Sequence, residues 1–206
     1  MSFGPEEFQK ATNVSRETLD KFQIYADLLK TWQPKINLVG PSTLDHIWHR
    51  HFYDSAQLLP HIYKTPLNNV SRSWLDLGTG AGFPGLVLSL LGEDPVYMIE
   101  KNAKKCAFLR QVIRETGTSA QVLQNDIEAV EPFPVDIITS RALATIEQIL
   151  SWGLPFSGIK SEFWLLKGQG VEQELTFLKK NRKIKMELFT SETNAGGHIV
   201  RLYEIR

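Results

Sequence analysis

The sequence predicts an α/β fold: a doubly wound, mostly parallel sheet with an N-terminal helical segment and a C-terminal antiparallel hairpin. Three features of the chain carry that prediction. Short apolar runs alternate with helix-periodic stretches from about residue 71 to residue 180. Residues 1–66 show only helical spacing. Near the end, two runs of alternating apolar and polar residues face each other across Asn194-Ala195-Gly196-Gly197. A length of 206 residues, 42% of them hydrophobic, suits one α/β domain with an appendage, expected at 67–206 and 1–66.

In the helical part, Leu19, Phe22, Tyr25, Ala26 and Leu29 fall on one face of a helix over Thr18–Leu29. Pro34 interrupts it. A second periodic segment spans Ser42–Leu59, with Ser42 placed to cap it and Asp45 three residues on. Pro60 and Pro66 mark its exit. The alternation then predicts a strand at Trp74–Leu77, a helix at Phe83–Leu91 and a strand at Val96–Ile99. A helix follows at Ala103–Glu115, closed by Gly117, and then strands at Ala120–Leu123 and Val135–Thr139. Ile146–Leu150 is helical, Phe163–Leu166 is a strand and Glu172–Lys180 is a helix. Ile184, Met186 and Leu188, then Ile199–Ile205, form the hairpin at a sheet edge.

Composition narrows the function classes. There are 23 basic and 23 acidic residues, so the chain is not a protein that coats nucleic acid by charge alone. Basic residues do cluster at 101–114 (Lys101, Lys104, Lys105, Arg110, Arg114) and at 179–185 (Lys179, Lys180, Arg182, Lys183, Lys185), as phosphate-facing patches or solvated faces. Cys106 is the only cysteine, which excludes an internal disulfide and a cysteine-cluster zinc site. No metal is expected from His46, His49, His51 and His61, whose segment has no acidic partners beyond Asp45 and Asp54. No apolar run is long enough to cross a bilayer, and the N-terminus lacks the basic and apolar regions of a secretory signal. The expectation is a cytoplasmic protein without a membrane partner, and nothing in the chain suggests an obligate dimer.

In a doubly wound sheet, ligands bind beyond the C-terminal ends of the strands. That rule nominates 76–85, 100, 125–128, 140–141 and 167. The loop Asp76-Leu77-Gly78-Thr79-Gly80-Ala81-Gly82-Phe83-Pro84-Gly85 fits two cofactor patterns. One is the dinucleotide fingerprint, with Glu100 as a ribose acceptor. The other is a carboxylate followed by glycines at alternate positions, the pattern of S-adenosylmethionine sites. Asp76 favours the second, because a pyrophosphate is anionic whereas a methyl donor brings an ammonium and a sulfonium. Asn125-Asp126-Ile127-Glu128 supplies a carboxylate for an exocyclic amine and Ile127 for a ring face. Arg141, at a strand end, suits a carboxylate, an RNA phosphate or guanine O6. Its bland alternative is a salt bridge to Asp76 or Glu128. Lys167 is a candidate for RNA phosphate. His51 and Asp54, three apart on one helical face, are placed to hydrogen-bond each other over the cofactor.

These motifs together resemble the glucose-inhibited division protein B family. Asp76–Gly85, Lys105-Cys106-Ala107-Phe108-Leu109-Arg110, Ser140-Arg141-Ala142 and Leu166-Lys167-Gly168 stand in the family's order and spacing. So do Trp32, Asn37-Leu38 and His51 to Ser55. The resemblance covers roughly residues 20–175, and the C-terminal hairpin matches weakly. Ala81 and Phe83 depart from the family's Pro and Leu. The resemblance implies a class I methyltransferase (Rossmann-like) that moves a methyl group from S-adenosylmethionine to guanine N7 in the 530 loop of 16S ribosomal RNA, leaving S-adenosylhomocysteine. Its partner is then 16S ribosomal RNA or the small ribosomal subunit. It implies cofactor contacts at Gly78, Phe83, Ile127, Glu128 and Arg141, to which the loop pattern adds Asp76, Gly80, Gly82 and Glu100. Lys104, Lys105, Arg110 and Lys167 are the RNA-contact candidates, and Arg141 the positioning residue. N7 carries a lone pair and no proton, so no general base is expected. The chain lacks the Asn/Asp-Pro-Pro-Tyr/Phe loop used on exocyclic amines. Three other readings stay open: a small-molecule or protein methyltransferase on the same fold, a nicotinamide-dependent dehydrogenase, and a non-enzymatic RNA- or cofactor-binding protein.

Overall fold

The structure, a computed structural model, describes residues 3–65 and 72–205. The expected breaks at Pro66 and Ser71, and the boundary between 66 and 67, lie outside those residues.

Helix α1 (Pro5–Thr12) starts on a proline whose missing N–H is lost without cost in a first turn, and Glu7 Oε2 accepts from Gly4 N at 2.9 Å. Helix α2 (Arg16–Trp32) is capped by Ser15, which accepts from Thr18 N at 3.1 Å, and it buries Phe22, Tyr25, Ala26 and Leu29. The single segment expected over Ser42–Leu59 is in fact broken. It becomes a 3₁₀ turn (Pro41–His46), a π-helical turn (Trp48–Tyr53), α3 (Asp54–Ala56) and α4 (Leu58–Ile62). Ser42 sits inside the 3₁₀ turn and caps nothing. Pro60 is the third residue of α4, where the N–H has no helical partner to lose.

The sheet has seven strands in the order β3-β2-β1-β4-β5-β7-β6. β1 (Trp74–Leu77), β2 (Val96–Ile99), β3 (Gln121–Leu123), β4 (Val135–Arg141) and β5 (Ser157–Lys167) are parallel. β6 (Lys185–Thr190) and β7 (His198–Tyr203) form the antiparallel hairpin, with β7 against β5 and β6 at the edge. The strand order reverses between β1 and β4, which opens a crevice at their C-terminal ends.

Strands β4 and β5 are longer than the hydrophobic pattern suggested. β4 continues through Ser140 and Arg141 because both remain paired with β5, Ser140 with Leu165 and Arg141 with Leu166. The Ser140 hydroxyl is satisfied inside the sheet by donating to Leu77 O at 3.2 Å. Arg141 therefore ends the fourth strand and does not follow it. Helix α5 (Gly85–Leu90) starts two residues late, because Thr79 O accepts from both Gly82 N and Phe83 N and holds 79–84 as a turn. Helices α6 (Ala103–Thr116), α7 (Ile146–Gly153) and α8 (Val171–Asn181) match the predicted spans to within a few residues.

The two faces of the sheet carry two cores. One joins α1, α2 and the 38–62 segment to α5, α6 and one sheet face, through Phe8, Phe22, Tyr25, Phe52, Phe83, Leu86 and Phe108. The other packs α7 and α8 on the opposite face, through Leu77, Ile138, Ile149, Phe163 and Leu175. Beneath the hairpin, buried Arg201 on β7 grips buried Glu162 on β5 with two bonds, Nη2–Oε1 at 2.6 Å and Nε–Oε2 at 3.0 Å. Glu187 on β6 takes a third, at 3.0 Å. Among the described residues no helix is long and apolar enough to cross a membrane.

Candidate functional site

The crevice at the strand ends is a cleft of about 580 Å³. Its floor is the backbone of 78–81, half-exposed at Gly78 and Gly80, which take the left-handed conformation at φ 63° and 62°. Glu100, one residue past β2, is buried and supports this floor. Its Oε2 accepts from Gly80 N at 3.1 Å and its Oε1 from Asn102 N at 2.7 Å. Asn125, Asp126, Ile127 and Glu128 form one wall, on a short 3₁₀ turn (Ile127–Ala129) capped by Asp126. Phe83, Leu38, Leu143 and Trp152 add apolar surface. Of the sequence-predicted cofactor residues, Gly78, Gly80, Phe83, Glu100, Ile127, Glu128 and Arg141 all line this one cleft.

Asp76 and Gly82 do not. Asp76 lies beneath the loop, 1% exposed, where Oδ2 accepts from Gly85 N and Oδ1 from Thr139 Oγ1, each at 2.9 Å. Burial raises its carboxyl to about 6 against those hydrogen bonds. These bonds tie the loop to the start of α5 and to β4. Gly82, at φ 99°, faces α2. A Cβ there would come within 2.5 Å of Tyr25 Oη and 2.8 Å of Leu86 Cβ. Tyr25 donates its hydroxyl to Ala81 O and stacks on Phe83 at 5.6 Å, so α2 holds the loop from outside the sheet.

Arg141 is the hub. Its Nη1 donates to Asp54 Oδ2 and to Arg50 O, both at 3.2 Å. Its Nη2 lies 3.0 Å from His51 Nδ1, and its guanidinium sits 4.7 Å above the Phe83 ring. The salt-bridge alternative to Asp76 or Glu128 is corrected: the partner is Asp54, from the helical segment. His51 and Asp54 meet through Arg141 and not each other. Arginine has no acceptor, so His51 Nδ1 must accept and its proton sits on Nε2, which donates to Thr43 Oγ1 at 2.8 Å. Burial, then Arg141 and Arg50, push His51 down to about 3 and keep it neutral. Asp54 also accepts from Thr193 Oγ1 and, at 2.9 Å, from Gln57 Nε2, which ties in the β6–β7 turn.

A second cavity of about 330 Å³ adjoins the first, and Leu38, Arg141 and Ala142 line both. Ala142 has φ 49°, a strained setting for a side chain, at the join.

The basic candidates separate. Lys105 reaches the cleft, Lys104 is exposed on the first turn of α6, and Arg110 Nη1 donates to Gln124 Oε1 at 2.9 Å. Lys167 is not a free cation. Its ammonium is tied to Glu174 Oε1 at 3.0 Å and Ala144 O at 2.7 Å, because β5 ends against the N-terminal half of α8. Cys106 is a packed thiol that donates to Glu100 O at 3.1 Å. Of the other histidines in 46–61, His49 tilts on Phe3 and His61 lies on Phe189.

Sequence reasoning missed Leu143 and Trp152 as lining residues. Leu143 follows a strand end and was reachable by that rule. Trp152 comes from the last turn of α7, and no local pattern marks it.

The family model described as rRNA small subunit methyltransferase G matches residues 18–199. A protein named Ribosomal RNA small subunit methyltransferase G from Paramagnetospirillum magneticum is 45% identical over 202 residues, covering 98% of this chain and 96% of its own. One of the same name from Rhodospirillum rubrum is 44% identical, covering 98% of each. Among solved structures, a mutant of MtNAS in complex with S-adenosylmethionine aligns with a TM-score of 0.61 at 13% identity, over 97% of this chain and 83% of its own. A SAM dependent methyltransferase from Aquifex aeolicus aligns at 0.58 and 16% identity, over 87% and 97%. At such identities these two share the fold.

Proposed function

The chain belongs to the rRNA small subunit methyltransferase G family, and on that premise we propose that it methylates guanine N7 in small-subunit ribosomal RNA with S-adenosylmethionine as donor. The observation that carries the reading is the convergence of Gly78, Gly80, Glu100, Ile127, Glu128 and Arg141 on one cleft at the point where strand order reverses.

These residues suit the donor's chemistry. Bare backbone at Gly78 and Gly80 admits close approach of a polar chain. Glu100 keeps lone pairs for ribose hydroxyls. Ile127 offers a flat apolar face and Glu128 an acceptor for an exocyclic amine. Lys101, Lys105 and Arg141 are the cations lining the cleft, and Phe83 packs beneath Arg141. When bound, S-adenosylmethionine supplies an electrophilic methyl on a sulfonium. Guanine N7 carries a lone pair and no proton, so this chain's residues would need only to hold the base in line with that methyl group, without a general base. The chain's task is to orient and to exclude water. Arg141 is the positioning group, with Lys104, Lys105 and Arg110 on α6 as contacts for RNA phosphate. The protein acts as a monomer in the cytoplasm.

Tritium transfer from labelled S-adenosylmethionine to small subunits from a strain lacking the modification tests this. Label is expected in one guanine and is expected to chromatograph as 7-methylguanine. Absence of label in both subunits and free 16S RNA, from protein that binds S-adenosylhomocysteine, would overturn the reading.

A further inference from the structure

We propose that the second cavity is the pocket for the target nucleotide, flipped out of its stack, with Arg50 facing its phosphate and Arg141 reading its O6. The inference rests on the functional reading above and adds where the base sits and what selects it.

Position comes first. The two cavities share Leu38, Arg141 and Ala142, so an aromatic base in the second presents one edge to the first. Leu38, Val39 and Leu166 give apolar faces, and each keeps only a residual exposure of 5–9%. Flat apolar walls with polar groups at the edges are what an unstacked base requires.

Charge follows. Asp54 is the carboxylate lining the cavity, and Arg141, Thr193 and Gln57 consume it. Lys167 is neutralised by Glu174. Arg50 remains. Its Nη1 reaches Thr193 O at 3.3 Å, and it has no carboxylate partner among the described residues. A half-buried cation without an anion, at the mouth of a base-sized cavity, suits a phosphate.

Selection comes from Arg141. Three of its five N–H groups are used by Asp54, Arg50 O and His51. The Nε hydrogen and one on Nη2 have no hydrogen-bond partner among the described residues. Beside N7, guanine presents the O6 acceptor whereas adenine presents an amine donor. An arginine, which cannot accept, rewards the first and opposes the second.

Gly168 gives the test. It lines the cavity, a Cβ there would meet nothing within 4 Å, and its backbone lies outside the left-handed region. In the full-length protein, Gly168→Phe is expected to bind S-adenosylhomocysteine within twofold of wild type by calorimetry. Methyl transfer to small subunits is expected to fall at least about 100-fold. Transfer at the wild-type rate overturns the pocket. Should Gly168→Phe lose S-adenosylhomocysteine binding, Arg50→Gln decides. Its KM for small subunits is expected to rise about tenfold or more at unchanged S-adenosylhomocysteine affinity, and an unchanged KM overturns the assignment. A wild type that transfers no methyl group fails the functional reading itself, and the pocket with it. An active wild type with indifferent variants fails the pocket alone.

Discussion

At the scale of single residues, burial sets the chemistry of His51 and Asp76, and it sets them in opposite senses. His51 is held at about 3 by burial and then by Arg141 and Arg50. Unfolded, it titrates near 6.5, so below that pH the unfolded chain binds more protons and the fold loses stability, about 2 kcal/mol by pH 5. Asp76 is raised to about 6. Between pH 6 and 4 the folded chain takes a proton there that the unfolded chain does not, which adds about 1 kcal/mol by pH 5. In the wild type the second offsets only part of the first. His51→Phe keeps the stack on Phe83 but removes one titration. It is expected to melt below wild type at pH 8, with the gap narrowing by about 4–8 °C at pH 5. Calorimetry at the two pH values checks it, and a gap that does not move with pH would show that His51 is not held neutral. None of this was visible in the sequence, where His51 and Asp54 were merely three apart on a helix. Their shared partner, Arg141, is 90 residues from His51 along the chain.

At the scale of elements, the glycine-rich loop owes its shape to both ends of the chain's logic. Gly78 and Gly80 bare the backbone toward the cleft. Gly82 instead lets the loop close on α2, where Tyr25 reaches Ala81 O. Gly82→Ala therefore meets two costs, a left-handed alanine of about 1–2 kcal/mol and the clash with Tyr25 and Leu86. Gly92→Ala meets the first alone, since its φ is 105° and a Cβ there has open space. The expected result is a small loss of melting temperature for Gly92→Ala. For Gly82→Ala the loss is larger by at least about 3 °C, with weakened S-adenosylhomocysteine binding. Equal melting of the two variants would refute the role of packing on α2. The hairpin shows the same limit of local pattern. Alternation predicted β6 and β7, but not the buried Arg201–Glu162 pair that fixes β7 against β5. Removing one partner of such a pair leaves an uncompensated charge.

At the scale of the whole molecule, the N-terminal helices are structurally part of the fold's main core. Phe8, Phe22, Tyr25 and Phe52 share one cluster with Leu86, Phe108 and Trp164. A chain starting at residue 72 would expose that face. It is expected to lack near-UV circular dichroism and cooperative melting, and a cooperatively folding fragment that binds S-adenosylhomocysteine would disprove the dependence. The sequence by itself determined the alternating α/β order, the strand ends as the place of chemistry, the methyl-donor loop and the family. Those depend on period, turn chemistry and spacing, which are local. Only the tertiary structure decided that Asp76 lies beneath the loop and braces it, that Lys167 is neutralised, and that the N-terminal segment grips Arg141 and completes a second cavity. These depend on which side chains from distant segments share buried space. Desolvation there rewards a polar group for finding a partner, and no local pattern records which one it takes.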